Sequence, residues 1–163
     1  MALPKIDLPM QQIILPSSGE KIKVRAFTVK EEKILLIAGE QNDVVVELMA
    51  IKQILNNCMV EGRVEDLAMI DLEYVFLKLR SNSVDNLTKF TIRDPDTDES
   101  VDLELNLDDV ECIRDETHSM DVRINEEYVL FLKHPTIEEF AQVLTMDEKD
   151  PLTNYYIMCS CLD

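Results

Sequence analysis

The two histidines, His118 and His134, are the side chains in this chain best suited to acid–base chemistry near neutral pH. A catalytic histidine works beside a nucleophile or a carboxylate, and G-x-S-x-G is one sequence signature of such a site. A P-loop would instead indicate nucleotide-phosphate binding. Neither signature occurs here. A pair of catalytic carboxylates is not indicated either, because 33 acidic residues make any single pair uninformative. The sequence therefore predicts a protein that is not an enzyme.

Three aspartates at alternate positions, Asp94, Asp96 and Asp98, resemble the first half of a calcium-binding loop. Such a loop needs a glycine at its sixth position and a bidentate glutamate at its twelfth. Glu99 and Leu105 occupy those positions here. We therefore interpret the segment as a charged hairpin turn.

Cys159 and Cys161 are spaced so that both could bind one metal ion. Zinc normally takes four Cys or His ligands, and Cys112 and His118 are among the few other residues of these types in the second half of the chain. The four cysteines of the chain, which include Cys58, are irregularly placed and do not indicate a disulfide framework. We expect free thiols, no metal site and no cofactor.

Charge is distributed unevenly along the chain. The net charge of −17 argues against direct nucleic-acid binding, which requires a basic face. Residues Asp94–Glu116 contain 11 acidic residues and one base, whereas Lys21–Lys33 contains five bases and two acids. This polarity predicts contacts with oppositely charged proteins, or self-association in which one end meets the other.

The chain has no segment that indicates a membrane or a secretory pathway. No apolar run reaches the roughly 20 residues of a membrane helix. The first ten residues, with Pro4 and Pro9, lack the apolar core and cleavage site of a signal peptide. We expect an extended arm at residues 1–10, a cytoplasmic location and no membrane contact.

A hairpin and a first helix are predicted near the N-terminus. The two-residue alternation of Lys21–Phe27 indicates a half-exposed strand that pairs with Gln12–Leu15 across a turn at Gly19. Thr28 and Glu31 form a capping-box pattern that begins a helix. Two further helices should follow. The expected helix boundaries are Gly39 for the end of the first helix, Asn42 or Asp43 for the cap of the second, and Asp66 for the cap of the third.

The third helix, which should run from its Asp66 cap to about Arg80, has apolar residues on two sides and charged residues along two lines between them. Asp71 and Lys78 share one line, and Glu73 and Arg80 share the opposite line. A helix that is apolar on two sides is buried between two partners, so we place it at the centre of the fold. Where those charges are buried, we expect their partners on other elements or on another subunit. The apolar flanks are Ile70, Tyr74 and Leu77 on one side and Met69, Leu72, Val75, Phe76 and Leu79 on the other.

The second half of the chain indicates antiparallel strands and two helical segments. Alternating apolar and acidic residues in Val101–Leu105 predict a strand with one solvated acidic face. The apolar C-terminal segment indicates a helix that docks on a partner or is completed by sequence not present here. The expected elements are a hairpin of Thr88–Arg93 with Val101–Leu105, a hairpin of Asp121–Asn125 with Tyr128–Lys133, a helix from Pro135 to about Leu144, and a last segment from Pro151 through Tyr155–Leu162.

Three segments in register resemble the baseplate hub proteins of T-even-type contractile-tailed phages. They are K-V-R-A-F-T-V-K-E-E-K-I-L-L-I-A-G at Lys23–Gly39, D-x-E-Y-x-F-L-K-L-R-S-x-S-V within Ile70–Val84, and Y-V-L-F-L-K-H-P-T-I-E-E-F at Tyr128–Phe140. The resemblance spans roughly Leu15 to Phe140. It implies a component or assembly factor of the baseplate hub, located in the virion tail or in the host cytoplasm during assembly. Relatives carry Cys-x-x-Cys in the hairpin that corresponds to Thr88–Leu105, and this chain has no cysteine there, so no metal role is transferred.

We therefore expect one α+β domain over residues 1–163. It should comprise the arm (1–10), a hairpin with a three-helix core (11–86), an antiparallel β segment (87–134) and C-terminal helices (135–163). The expected partners are other hub or wedge proteins of a baseplate, with self-association left open. The alternative is an acidic adaptor or host-directed inhibitor that binds a basic partner. The candidate interaction residues are Lys21, Lys23, Arg25, Asp71, Glu73, Lys78, Arg80, Asp94, Asp96, Asp98, Tyr155, Tyr156 and Leu162.

Overall fold

The computed structural model describes residues 8–113, 117, 119–146 and 150–162. Within these residues the chain forms five α-helices and three separate antiparallel two-stranded sheets, so the predicted α+β class is confirmed. The strands are β1 (Met10–Ile14), β2 (Lys21–Arg25), β3 (Leu87–Arg93), β4 (Ser100–Asn106), β5 (Asp121–Arg123) and β6 (Val129–Phe131). The helices are α1 (Val29–Gly39), α2 (Val44–Cys58), α3 (Met69–Ser83), α4 (Ile137–Leu144) and α5 (Pro151–Ser160). Most of the predicted arm, residues 1–7, lies outside the described part.

The β1–β2 hairpin lies against the helical core. Its register pairs Ile13 with Ile22, and both side chains are buried together with Val24. Gly19 has a φ of 75°, the left-handed conformation that the turn requires and that glycine adopts without strain. The predicted pairing and the predicted turn residue are therefore confirmed.

Side-chain caps begin the first two helices as the sequence predicts. The Thr28 amide donates to Glu31 Oε2 at 2.8 Å, and both halves of the capping box are present. Asp43 Oδ1 accepts from the amides of Val45 and Val46 at 2.9 and 3.3 Å. These bonds satisfy amides that a helix start would otherwise leave unpaired.

The expected capping of α3 by Asp66 is wrong. Asp66 ends a short 3₁₀ turn, and Ala68, which has no capping side chain, precedes the helix. The amide of Met69 instead donates to the carbonyl of Pro135 at 2.9 Å. A backbone group from a distant segment thus satisfies the helix start, which local sequence does not reveal.

Only one of the two apolar flanks of helix α3 contains buried residues. Leu72, Val75 and Leu79 are buried within the main core cluster. On the other flank Tyr74 and Leu77 are partly buried, and Ile70 is 38% exposed. The expectation of a helix buried on both sides is therefore correct only in part. It holds for Leu72, Val75 and Leu79, whereas Met69 and Phe76 on the same flank are partly buried. It is wrong at Ile70, where no described element covers the first turn.

The β3–β4 hairpin is exposed on both faces. The register pairs Phe90 with Leu103 and Ile92 with Val101, which places these four apolar side chains on one face. All four are exposed, although the alternation predicts that only the acidic face is solvated. Apart from Leu107, just after β4, no described apolar residue between 85 and 136 is buried.

The C-terminal elements close back onto the chain. Thr136 and Glu139 form a second capping box at the start of α4, whose Ile137 is fully buried. Helix α5 packs beside α4, and the amide of Lys133 donates to the carbonyl of Cys161 at 2.8 Å. The predicted β5–β6 hairpin and both predicted helical segments are present.

Candidate interaction surfaces

Asp71 is a buried structural residue. Its carboxylate accepts from the Ser17 amide at 2.8 Å and also from the Ser17 hydroxyl. Ser17 belongs to the turn between β1 and β2, so these bonds tie the first hairpin to α3. Burial of a carboxylate is tolerable only when its oxygens are hydrogen-bonded, and here both are.

Lys78 is held by the segment that follows β4. Its ammonium donates to the carbonyls of Leu107 and Asp108 at 3.3 and 2.8 Å, and it lies 5.5 Å from the centroid of the Tyr74 ring. Asp108 also accepts from the Ser81 hydroxyl, which lowers the pKa of Asp108. Asp71 and Lys78 thus have partners on other elements, which is one of the two locations expected for those charges of this helix that are buried.

Glu73 and Arg80 occupy the opposite line of α3 and are exposed at the rim of an apolar groove. The groove has a volume of about 460 Å³ and lies between α2, α3 and α4. Its apolar lining is Val44, Leu48, Ile51, Met69, Leu72, Phe76, Leu77, Leu107, Phe140 and Leu144, and the rest is Glu47, Glu73, Arg80 and Thr88.

The apolar face of β3–β4 adjoins this groove. Thr88 lies on the same face of the hairpin as Phe90 and Ile92, since strand residues two apart point the same way. Thr88 also lines the groove. The groove and the hairpin face therefore meet at the base of β3.

The opposite face of the hairpin is polar and internally paired. Lys89 and Glu104 form an ion pair at 3.3 Å, and the Thr91 hydroxyl donates to Asp102 at 2.7 Å. This face needs no partner to satisfy its charges.

The aspartates at the hairpin tip build a turn. Asp94 accepts from the Asp96 amide at 2.8 Å, a bond that lowers the pKa of Asp94. Asp98 has a φ of 64° and forms an ion pair with Arg93. Asp96 is exposed. Their backbone bonds are those of a charged hairpin turn, as the sequence predicts.

The basic residues of β2 differ in their roles. Lys21 is exposed, and Lys23 pairs with Glu61 at 2.8 Å. Arg25 is half-buried and donates to Glu31 at 3.1 Å. Burial by itself raises the pKa of Glu31, but hydrogen bonds from Thr28 and Arg25 and the Arg25 charge outweigh it and lower that pKa to about 2.

The C-terminal candidates lie on or just after α5. Tyr155 is exposed, and the Tyr156 hydroxyl donates to Gln142 on α4. Leu162 is exposed and bridges Leu132 through its backbone. Other exposed apolar side chains of this helix are Leu152, Ile157 and Met158.

The residues considered for chemistry do not assemble into a site within the described part of the chain. His134 is exposed, and His118 lies outside the described residues. No group of three His, Cys, Asp or Glu that could hold a metal ion occurs among residues 8–113, 117, 119–146 and 150–162. The four cysteines are free, and burial raises the pKa of Cys58 to about 11, which keeps it a thiol. No described helix has the length and apolar character of a membrane span.

Sequence reasoning missed the groove as a whole. It identified Glu73 and Arg80 as candidates. It did not place Val44 and Leu144 in one groove, because these residues are separated by 100 positions. The apolar residues spaced three or four apart on α2, Val44, Leu48 and Ile51, indicate one apolar side of a helix, which alone does not indicate a groove.

The fold and its surfaces define a small α+β protein that exposes contiguous apolar surface while its polar groups are largely paired. The family model for the T4 bacteriophage base plate protein matches residues 9–163, nearly the whole chain. The chain therefore belongs to the T4 bacteriophage base plate protein family, which confirms the baseplate resemblance and places the protein in the phage tail. Comparisons with curated proteins and with solved structures give no match.

Proposed function

We propose that this protein is a component or assembly factor of the baseplate hub and acts through protein–protein contacts, without enzymatic activity. The observation that carries the proposal is the exposed apolar face of β3–β4, formed by Phe90, Ile92, Val101 and Leu103. A contiguous apolar surface on a soluble protein marks an interaction site. A two-stranded hairpin is also marginal by itself, so a partner that covers it would stabilise it.

The hub, rather than another part of the baseplate, is favoured by the three sequence segments that resemble hub proteins. Two of these segments build the β2–α1 connection and the central helix α3. They carry the Arg25–Glu31 and Asp71–Ser17 contacts that hold the core together. The expected partners are other hub or wedge proteins, and assembly would take place in the host cytoplasm.

A complementation experiment tests this function. Phage lacking the gene should fail to complete baseplates, and a plasmid copy of the gene should restore them, as seen by electron microscopy of infected-cell extracts. A Val101→Asp copy should fold but restore assembly poorly, because it places a charge on the uncovered apolar face. Complete baseplates in the absence of the protein would overturn the proposal.

Quantitative mass spectrometry of purified particles separates a component from an assembly factor that leaves. A component should occur in a fixed whole-number ratio to the other hub proteins. A transient chaperone should be present in assembly intermediates and absent from finished phage. Both outcomes are compatible with a role in hub assembly. The first identifies a structural component, and the second identifies a transient assembly factor.

The alternative, an acidic adaptor or inhibitor that mimics nucleic acid, is not favoured by the geometry. Lys89 and Arg93 interrupt the acidic face of the hairpin and pair with Glu104 and Asp98. Evenly spaced, unpaired carboxylates would be needed to imitate a phosphate backbone.

A further inference from the structure

We infer that the groove between α2, α3 and α4 receives an amphipathic helix from a second baseplate protein, with lysine or arginine residues placed beside Glu47 and Glu73. This inference rests on the proposed function and adds the binding mode and the chemistry of the partner. Docking of an amphipathic helix into an apolar groove is a common recognition mode. Here the groove supplies apolar walls from three helices and charged residues at its rim.

The groove has the dimensions of a helix site. Its α3 wall runs from Met69 to Arg80, a distance of about 16 Å at the α-helical rise of ~1.5 Å per residue. A partner helix of about 11 residues has the same length. The walls present apolar side chains at helical spacing, such as Leu72 and Phe76 on α3 and Phe140 and Leu144 on α4. An apolar stripe of a docked helix would pack between these rows.

Apolar residues at the edges of the groove remain uncovered. Val44 at the start of α2 is 63% exposed, and Leu144 at the end of α4 is also exposed. Both face a groove whose floor includes the fully buried Leu72. The groove thus extends the core outward and leaves apolar side chains in contact with water, which a docked helix would cover.

The charges at the rim specify the partner. Among the described residues, Glu47, Glu73 and Arg80 form no ion pair and no side-chain hydrogen bond, whereas nearby Glu138 pairs with Lys52. The rim therefore contains two carboxylates and one guanidinium, a net charge of the same sign as the −17 of the whole chain. A helix with basic residues along the edges of its apolar stripe fits this rim, and an acidic residue near one end would meet Arg80.

A second copy of this chain fits less well. Self-association would bring two chains of charge −17 together, which is electrostatically unfavourable. Two described helices expose several apolar side chains. Helix α5 has no lysine or arginine in Pro151–Leu162 to meet Glu47 and Glu73. Helix α1 has Lys30 and Lys33 but also Glu31 and Glu32, so its side chains carry no net charge. The rim therefore favours a different, more basic protein.

Site-directed photo-crosslinking during infection tests the occupant. A benzoyl-phenylalanine at position 44 should crosslink to a peptide from another baseplate protein, and that peptide should have apolar residues at helical spacing flanked by lysine or arginine. The same group at position 29 is the control, because Val29 also begins a helix, is 79% exposed and lies outside the groove.

A charge-reversal pair tests the rim. Glu47→Lys with Glu73→Lys should weaken binding of a helical Leu/Lys amphipathic peptide of about 14 residues by at least about tenfold, as measured by fluorescence anisotropy. Glu40→Lys with Glu126→Lys changes the net charge equally at exposed positions outside the groove and should change binding less than about threefold. Val44→Asp should weaken binding, whereas Val29→Asp should not. An aspartate at either helix start is compatible with folding, which circular dichroism would verify.

The outcomes separate this inference from the proposed function. Crosslinks to a basic amphipathic segment of another baseplate protein support it. Crosslinks to a second copy, crosslinks to an acidic segment, or equal peptide binding by both charge variants overturn it while leaving the hub role intact. Incorporation into baseplates without any crosslink at position 44 also overturns it. Baseplates that assemble without the protein overturn the proposed function itself.

Discussion

The β1–β2 and β3–β4 hairpins each have one apolar face, and the two faces lie in opposite environments. The second strand of each hairpin alternates apolar and charged residues, in Lys21–Arg25 and in Val101–Leu105. In β1–β2 that face is covered by the helices, and Val24 is 0% exposed. In β3–β4 it faces water, and Val101 is 57% exposed. The alternation of residues therefore predicts that a hairpin has an apolar face. It does not predict which part of the fold, if any, covers that face.

The two hairpins also differ in how they are attached. The turn of β1–β2 donates two hydrogen bonds from Ser17 to Asp71, and Arg25 at the end of β2 binds Glu31 on α1. The β3–β4 hairpin is attached to α3 only near its base, where Lys78 donates to the carbonyl of Asp108 at 2.8 Å and the Ser81 hydroxyl donates to the Asp108 carboxylate. The first hairpin belongs to the core of the folded chain, and the second extends from it with its apolar face exposed.

The largest predicted effect is the difference in the free energy of unfolding between Val24→Asp and Val101→Asp. An aspartate at position 24 would bury an unpaired charge and should lower the free energy of unfolding by about 4 kcal/mol or more. At position 101 the same change should alter it by less than about 0.5 kcal/mol. Urea denaturation measures both values. Similar losses for the two variants would show that β3–β4 is covered in the free protein.

Acidification should weaken the β2–α1 attachment. The pKa of Glu31 is about 2 in the folded protein and 4.5 in a free side chain, so its contribution is complete above pH 4.5 and is lost as the pH falls toward 2. The loss should be on the order of 3 kcal/mol. Urea denaturation between pH 6 and pH 2 measures it as the difference between the wild type and Glu31→Gln, which lacks this titration. Parallel pH curves for the two proteins would contradict the prediction.

Removal of the Asp71 carboxylate should loosen the turn of the first hairpin. Asp71→Ala leaves the Ser17 amide and hydroxyl without their acceptor and should cost about 2 kcal/mol. Glu73→Ala, two residues along the same helix and exposed, is the matched control and should cost less than about 0.5 kcal/mol. Thermal unfolding of both variants measures the difference. Equal effects would mean that the Ser17 bonds do not anchor the hairpin.

The smallest effect is expected on the polar face of β3–β4. Lys89→Ala removes an ion pair whose side chains are both exposed and should change the free energy of unfolding by less than about 0.5 kcal/mol. Denaturation at low and high salt should give nearly the same result for this variant and the wild type. A loss above about 1 kcal/mol would show that the charge pairs on its polar face stabilise this hairpin more than the contacts at its base do.

Local signals account for most of the elements that the sequence predicts correctly. The Thr28–Glu31 capping box, the Asp43 cap and the turn at Gly19 each involve residues close together in the chain, so the pattern and the structure coincide. The prediction that Asp66 caps α3 is wrong because the amide of Met69 donates to the carbonyl of Pro135, a partner 66 positions away.

For the candidate residues of α3, the sequence predicts which side of the helix they occupy but not what they contact. The periodicity of α3 placed Asp71 and Lys78 on one line and Glu73 and Arg80 on the other. It did not show that the first pair would be bound by other elements while the second would remain at the rim of a groove. Helical spacing defines which residues share a side, but the neighbour on that side comes from the rest of the fold.

By itself, the sequence determined the α+β class, the paired strands, the helix starts with side-chain caps and the resemblance to baseplate proteins, because each depends on residues near one another in the chain. Only the tertiary structure decided which apolar faces are covered and where the groove lies. Those features depend on segments more than 50 positions apart, such as α2 and α4. Their approach reflects the burial of the whole core, which no short stretch of sequence encodes.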